Sequence, residues 1–355
     1  MMKKNFKYLL VFITPIIIIM SMYLGGIWSY LTLVYVFIMI PTIELFFIGT
    51  SKNMNELDEE VAVKDKFYDY ILYSLVPIQF VIFFYFLNRI ADPLPQFYEK
   101  IGMMISFGIS CGALGINVAH ELGHRNTWYE QFMSKMLLST SQYMHFFIEH
   151  NRGHHKYVST EADPATGRYG ETLYGFYMRS IRDSWLSAWK LENIRLRKLN
   201  KTFISYYNEM LQFQIIQLVM IFSIGFIFGI QVLLFYLGGA TIGFLLLESI
   251  NYIEHYGLKR KKINATYYEQ TLPIHSWNSN HSLGRILLLE VTRHSDHHYS
   301  TQRKYQTLRH FDESPQLPTG YPGMMLLAFF PPLWFKVMHK QIEMYKTTAH
   351  GTALD

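Results

Sequence analysis

Nine of the fifteen histidines in this 355-residue chain fall in four short clusters. "HELGHR" carries His120 and His124, "EHNRGHH" carries His150, His154 and His155, "NYIEHYGL" carries His255, and "RHSDHH" carries His294, His297 and His298. Neutral imidazole suits iron, zinc or copper and is a poor ligand for magnesium or calcium, so the chemistry in prospect is that of a nitrogen-rich metal centre. Spacing indicates which rings act together. Residues three or four apart share a helix face, which predicts that His120 with His124, His150 with His154, and His294 with His297 each aim two rings at one centre. The adjacent pairs His154/His155 and His297/His298 diverge by about 100° on a helix, so each doublet addresses two centres. Nine rings exceed what one ion accepts, and two ions are expected.

The other six histidines, His145, His275, His281, His310, His339 and His350, have no partner at helical spacing and read as ordinary interfacial or core side chains. In "WNSNH", Asn278 and His281 stand close enough to the last cluster to back it up. Glu121, Glu149, Asp163, Glu254 and Asp296 flank the clusters. A carboxylate beside a ligating histidine usually accepts the other ring N–H and fixes the tautomer, and that role is expected here. Bridging two metals is the competing role. "HELGH" also satisfies the H-E-x-x-H pattern of zinc proteases, but that reading leaves seven clustered histidines without a purpose. Ion transport would instead require polar groups threading the spans, whereas these rings mass on one side.

The elements that must position the clusters are apolar helices. Half of the residues are hydrophobic and 17% aromatic, too apolar for an ordinary soluble domain. Six segments are long and apolar enough to cross a bilayer: about 8–24, 27–48, 69–87, 100–119, 212–229 and 232–250. The first two form a tight hairpin at Gly25 and Gly26, and the last two turn near Gly229. The basic start "MMKKNFKYLL" is read as the flank of a span rather than a cleaved signal, because a second span follows at once. With the N-terminus inside, every Lys and Arg except Arg89 and Lys100 falls on the inner side. The net charge of +5 is then a matter of topology and anionic lipid, and no nucleic-acid-binding motif is visible. The expected fold is an all-α integral membrane protein of about six transmembrane helices, with a cytoplasmic cap holding a histidine-rich dimetal site. Residues 1–355 are expected to form one unit, with 120–210 and 251–355 as the cap. "YPGMMLLAFFPPLWFKVM" is broken by Pro331 and Pro332 and is predicted to be re-entrant or interfacial. Near the spans, Glu44 is a candidate partner of a substrate channel and Trp28 a candidate plug for its far end; snorkelling and an aromatic belt are the ordinary alternatives.

In combination the motifs resemble those of the membrane-bound alkane 1-monooxygenases, within the membrane fatty-acid desaturase and hydroxylase superfamily. That family's marks are H-E-L-x-H-[KR], E-H-x-x-G-H-H, N-Y-x-E-H-Y-G-L and L-Q-R-H-S-D-H-H. Here the last reads "VTRHSDHH", with Val291 and Thr292 in place of Leu and Gln, neither of them a ligand. The likeness extends through "TEADPATGRYGETLYGFYMRS", "SWNSNHS" and "LPTGYPGMMLLAFFPPLWFKVM". It implies two non-haem iron ions held by the nine clustered histidines, in a bacterial inner membrane, with both termini and the metal site cytoplasmic. It also implies O2-dependent hydroxylation of the terminal methyl of a medium- or long-chain alkane to a primary alcohol. The alternatives within the class are hydroxylation of an aromatic methyl group and desaturation of a fatty acyl chain. Breaking an unactivated C–H bond does require a redox metal, and an alkane offers only length and shape for selection. Electrons must come from a separate protein, because the single cysteine, Cys111, cannot make a four-cysteine iron site and no nicotinamide or flavin loop appears. The resemblance implies rubredoxin with an NAD(P)H-dependent reductase. "KRKK" at 259–262 and the run Arg195, Arg197, Lys198, Lys201 are candidate docking charges, with lipid head groups as the alternative occupant.

Overall fold

A computed structural model describes residues 6–47, 49–264 and 267–347; His350 and both chain ends lie outside them. Among the described residues the chain is helical, with two isolated β-bridges and no strand. Six helices are long and apolar enough to cross a membrane: span 1 (Phe6–Leu24), span 2 (Gly26–Phe46), span 3 (Lys66–Ala91), span 4 (Phe97–Gly123), span 5 (Glu209–Phe228) and span 6 (Ile230–His255). The protein is therefore an integral membrane protein. The turns form where glycine allows positive φ: Gly25 at 64° and Gly26 at 52° between spans 1 and 2, and Gly229 at 84° between spans 5 and 6. The last turn falls at Gly229, as expected.

Span 4 is the hub, packed against spans 1, 2, 3 and 6. Lipid supplies no hydrophobic drive between helices, so their contacts rest on close approach and hydrogen bonds. Both appear here. Gly108 and Gly112 on span 4 face Gly239 and Gly243 on span 6, each pair spaced G-x-x-x-G. A Cβ on Gly243 would lie 2.4 Å from the Cys111 Cβ, and one on Gly108 would lie 2.5 Å from the Ile242 Cβ. On the other side Ser21 donates to the Ser29 carbonyl at 2.6 Å and meets the Ser106 hydroxyl at 2.9 Å, tying spans 1, 2 and 4. Gln79 accepts from Ser110 at 2.5 Å and donates to Thr140 at 3.3 Å, joining span 3, span 4 and the cap.

The cap lies beyond the ends of spans 4 and 6. It comprises helices Trp128–Ser139 and Leu173–Lys198, the turn-rich segment between them, and the chain after His255. Asn55, Thr127, Thr172 and Asn208 cap their helices by accepting a backbone N–H. The apolar stretch near the C-terminus divides into Tyr321–Ala328 and Pro331–Lys346, with prolines at the first turn of the second helix, and neither reaches spanning length. Arg195 is held by Glu192, and Arg260 donates to the Val158 and Glu269 carbonyls, so neither is a free docking charge.

Replacing Gly243 by valine drives a side chain into Cys111 and should cost about 1–3 kcal/mol. Thermal unfolding in detergent should shift down accordingly; an unchanged midpoint would show that spans 4 and 6 do not meet this closely.

Candidate metal centre

All nine clustered rings converge, in two groups. His120, His124, His150, His155 and His297 form one, and His154, His255, His294 and His298 the other; within each, one ligand atom per residue lies within 4.8 Å of the rest. Each group could hold a metal ion. Span 4 delivers His120 and His124 one turn apart at its end, and span 6 ends on His255. The other six rings come from cap segments.

The partition differs from the one predicted by spacing, for a local reason. His150–His154 is a π turn, in which the His155 N–H reaches the His150 carbonyl five residues back. That wider turn brings His150 and His155 onto one face, their Nε2 atoms 2.9 Å apart, and sends His154 to the other group. In the short helix His294–Tyr299 the pair that shares a centre is His294 and His298, four apart, with Nε2 atoms 2.8 Å apart. His297 turns to the first group, 2.9 Å from His120. Both adjacent doublets divide between the groups, as the 100° argument requires.

The donor set fits metal ions. His124, His150 and His155 place three Nε2 atoms at 2.9–3.1 Å from one another. A neutral ring nitrogen carries one proton or one lone pair, and three facing one another cannot all be satisfied by mutual hydrogen bonds. Lone pairs aimed at a shared point are what an ion satisfies. Burial holds the rings in that neutral form: it lowers the pKa of His124 to about 3 and those of His150, His155, His294, His297 and His298 well below the usual range, with neighbouring rings adding to the effect.

The expected supporting groups occupy several different places. Asp163 accepts from His154 Nδ1 at 2.9 Å and from Thr166 at 2.5 Å, which turns His154 Nε2 to the cluster. Glu254 accepts from Tyr321 at 2.6 Å and brings its other oxygen 3.2 Å from His294 Nε2, the metal side of that ring, a position suited to the competing role of a carboxylate at the metal. Glu121 is tied to Arg125 and the Tyr305 N–H, and Asp296 to the Arg309 N–H and Arg303. Both brace cap segments. Glu149 is buried against Gly153 and Ser187. The Asn278 side chain accepts from the Ser295 N–H at 2.8 Å and so fixes the start of the His294 helix, whereas His281 pairs with Ser279.

Two residues that spacing does not single out also position the rings. Glu290, in the left-handed region at φ 58°, bonds Tyr8 and Arg285 and pairs with Lys7, which anchors the strand of chain leading to His294 onto span 1. Burial opposes its ionisation, but Arg285, Lys7 and Arg293 bring its carboxyl down to about 2. Ser276 stands 3.5 Å from His255 Nδ1.

Two cavities meet the cluster. An apolar one of about 1000 Å³ runs among spans 1, 2, 4 and 6 along Thr14, Tyr35, Phe37, Ala113 and Leu246, and ends at His120, His150, His294 and Glu254. Its walls include residues of the π turns Tyr35–Met39 and Cys111–Ile116. A polar one of about 640 Å³ reaches His124 and His155. Trp28 does not line the apolar cavity: it is 57% exposed near the start of span 2, where an interfacial aromatic belongs. Glu44 stands behind the wall, accepting from the Gly284 N–H at 2.7 Å, and a Cβ on Gly320 would lie 1.9 Å from its carboxylate. It bonds one cap segment to span 2 and lies close against a second at Gly320.

Comparison with known proteins shows the chain's relatives. The fatty acid desaturase family matches residues 101–328. Alkane 1-monooxygenase 2 of Pseudomonas aeruginosa is 43% identical over 246 residues, 69% of this chain and 65% of that relative's length. Alkane 1-monooxygenase 1 of Alcanivorax borkumensis is 38% identical over 339 residues, 94% of this chain and 83% of the relative. Alkane 1-monooxygenase of Acinetobacter baylyi is 40% identical over 310 residues, covering 87% and 76%.

Two outcomes are expected. Asp163→Asn keeps the shape but offers His154 an ambiguous partner, and should weaken metal binding about 10–100-fold in a competition titration, with the fold retained by circular dichroism. In metal-free protein the buried rings are neutral, with folded pKa values below the unfolded value of about 6.5. Their contribution is complete above that value and is lost as pH falls toward the folded values, about 3 for His124. Each ring then removes up to about 1.4 kcal/mol per pH unit. The thermal midpoint of stripped protein should drop steeply between pH 7 and 5, and a flat profile would contradict the burial of the rings.

Proposed function

The chain belongs to the alkane 1-monooxygenase family, and from that premise we propose that it hydroxylates the terminal methyl group of an alkane. The balanced reaction is R–CH3 + O2 + 2 electrons + 2 protons → R–CH2OH + H2O. The observation that carries this reading is an apolar cavity that ends on a cluster of nine imidazoles. A substrate with no polar group can be held only by such a cavity, and its reaction needs a redox centre at the end. Two iron ions, when bound, supply the O2 chemistry that no side chain provides.

The work of the protein's own residues follows from their places. His120, His124, His150, His155 and His297 hold one iron, and His154, His255, His294 and His298 the other. Asp163 fixes the His154 tautomer. Glu121 and Asp296, with Asn278, steady the cap around the rings; Glu149 is buried beside Gly153 and Ser187, Glu254 stands on the metal side of His294, and His281 pairs with Ser279. Walls from Tyr35, Phe37, Ala113 and Leu246 align the chain end and exclude water from it. Selectivity by length amounts to about 1–3 kcal/mol per methylene. Electrons arrive from rubredoxin, itself reduced by an NAD(P)H-dependent reductase. The metal centre and both termini face the cytoplasm of a bacterial inner membrane, and residues 1–355 act as one unit.

The test purifies the protein in detergent, measures iron and zinc per chain, and supplies rubredoxin, its reductase, NADH and dodecane to the same sample. About two irons per chain and the appearance of 1-dodecanol are expected. One zinc per chain without alcohol would overturn the reading, and iron with turnover only to alkenes or benzylic alcohols from suitable substrates would replace it with another member of the class.

A further inference from the structure

The two cavities approach the histidines from different sides and differ in chemistry. Where the apolar one meets His120, His150 and His294, the polar one opens at the cap surface and ends on His124 and His155. Its wall is built of Arg125, Asn126, Gln131, Asn151, Arg152 and Gln302, together with Thr301 and the end of span 4. A space of about 640 Å³ among such groups holds water, since a water molecule occupies about 30 Å³ and these side chains offer it partners.

Two features suit that space to a hydrated cation. The first is charge. Arg125 is matched by Glu121 at 2.6 Å and Asp69 at 3.4 Å, and Arg152 by Glu192 at 2.9 Å and Glu209 at 2.5 Å. Each guanidinium is thus ion-paired, its charge offset by carboxylates that Lys304, Arg195 and Lys135 share, and neutral amides complete the wall with His124 and His155. The second is the amide pair on its wall. Asn126, just before the helix Trp128–Ser139, donates to Gln302 on the turn after the last histidine cluster, at 3.3 Å. Both amides line the cavity, while Glu121 and Asp69 hold the same two segments together behind them through Arg125, the Tyr305 N–H and Lys304. The four-histidine group, by contrast, is wholly buried. The polar cavity touches two rings of the five-histidine group and none of the four-histidine group.

We propose that the polar cavity is the aqueous port of the metal centre, through which a hydrated divalent ion passes to and from the five-histidine group and water exchanges with it. His124 and His155 are the first rings such an ion meets. The port rests on the metal-centre reading given above. It divides the traffic: hydrocarbon on the membrane side, hydrophilic species on the cap side.

The experiment follows metal, not turnover. Iron-loaded protein in detergent is mixed with a charged, water-soluble chromogenic iron(II) chelator and the rate of release is recorded; stripped protein is then reloaded with aqueous ferrous ion. Asn126→Trp combined with Gln302→Trp should slow both rates at least tenfold at unchanged iron content. Gln302→Gly, which removes the amide pair from the wall, should raise them. Ala113→Phe, in the apolar cavity, should leave release unaltered. Equal rates in wild type and the double tryptophan variant, or slowing by Ala113→Phe instead, would overturn the port while leaving the metal centre intact. If the double variant does not fold, an unchanged rate in Gln302→Gly overturns it equally. Protein that neither holds nor takes up metal would refute the metal centre itself, a separate result.

Discussion

The structure depends on bringing nine uncharged imidazoles together with their lone pairs facing inward, out of water. Nothing in such an arrangement is self-stabilising: burying a polar nitrogen without a partner costs on the order of 1–3 kcal/mol, and facing lone pairs repel. The surrounding fold has to impose it. Span 4 and span 6 each end on ligating positions, and their close glycine contact sets the distance between His120 and His255 before any cap residue is placed. The cap then brings six more rings; Asp163 orients His154 through its ring, and the cap segments themselves are braced by ionic and backbone contacts. Glu290 with Lys7, Tyr8 and Arg285, Asp296 with Arg303 and Arg309, and Glu121 with Arg125 are those braces.

Placing the centre at the boundary between membrane and cap resolves a conflict between its reactants. A hydrocarbon partitions into the bilayer, whereas protons, water and a metal ion belong to the aqueous side. Spans 2 and 6 both pack on span 4, and the cavity among them is lined mainly by apolar residues and includes His120, His150, His294 and Glu254. The polar cavity opens from the cap. A centre deep within the bilayer would be closed to ions, and one on the cap surface would be closed to alkane.

Much of this was legible in the sequence, for physical reasons that can be named. The six spans follow from length and apolarity alone, and their ends agree with the structure to within a few residues, because the hydrocarbon thickness imposes the length. The nine rings were identifiable because clustered imidazoles have few other uses. What could not be read was contact between segments far apart in order. Glu290 looks like an ordinary acid until Tyr8, 282 residues away, is seen to donate to it. Trp28 and Glu44 show the same limit: depth in the membrane was evident, but the side of the helix facing the cavity was not.

The pairing of rings shows where spacing rules fail and why. On a regular α-helix His150 and His154 share a face, and His155 lies off it. A π turn is wider by almost one residue per turn, so the same seven letters deliver His150 with His155 and free His154 for the other group. Without that turn, His150 would share its face with His154 rather than with His155. The glycine in the middle of the motif has its place in this. A Cβ at Gly153 would run into a Glu149 oxygen, so any larger residue there requires the buried acid to move. "EHNRGHH" is thus a device for splitting two adjacent histidines between two centres, and its glutamate and glycine are as much a part of it as its imidazoles.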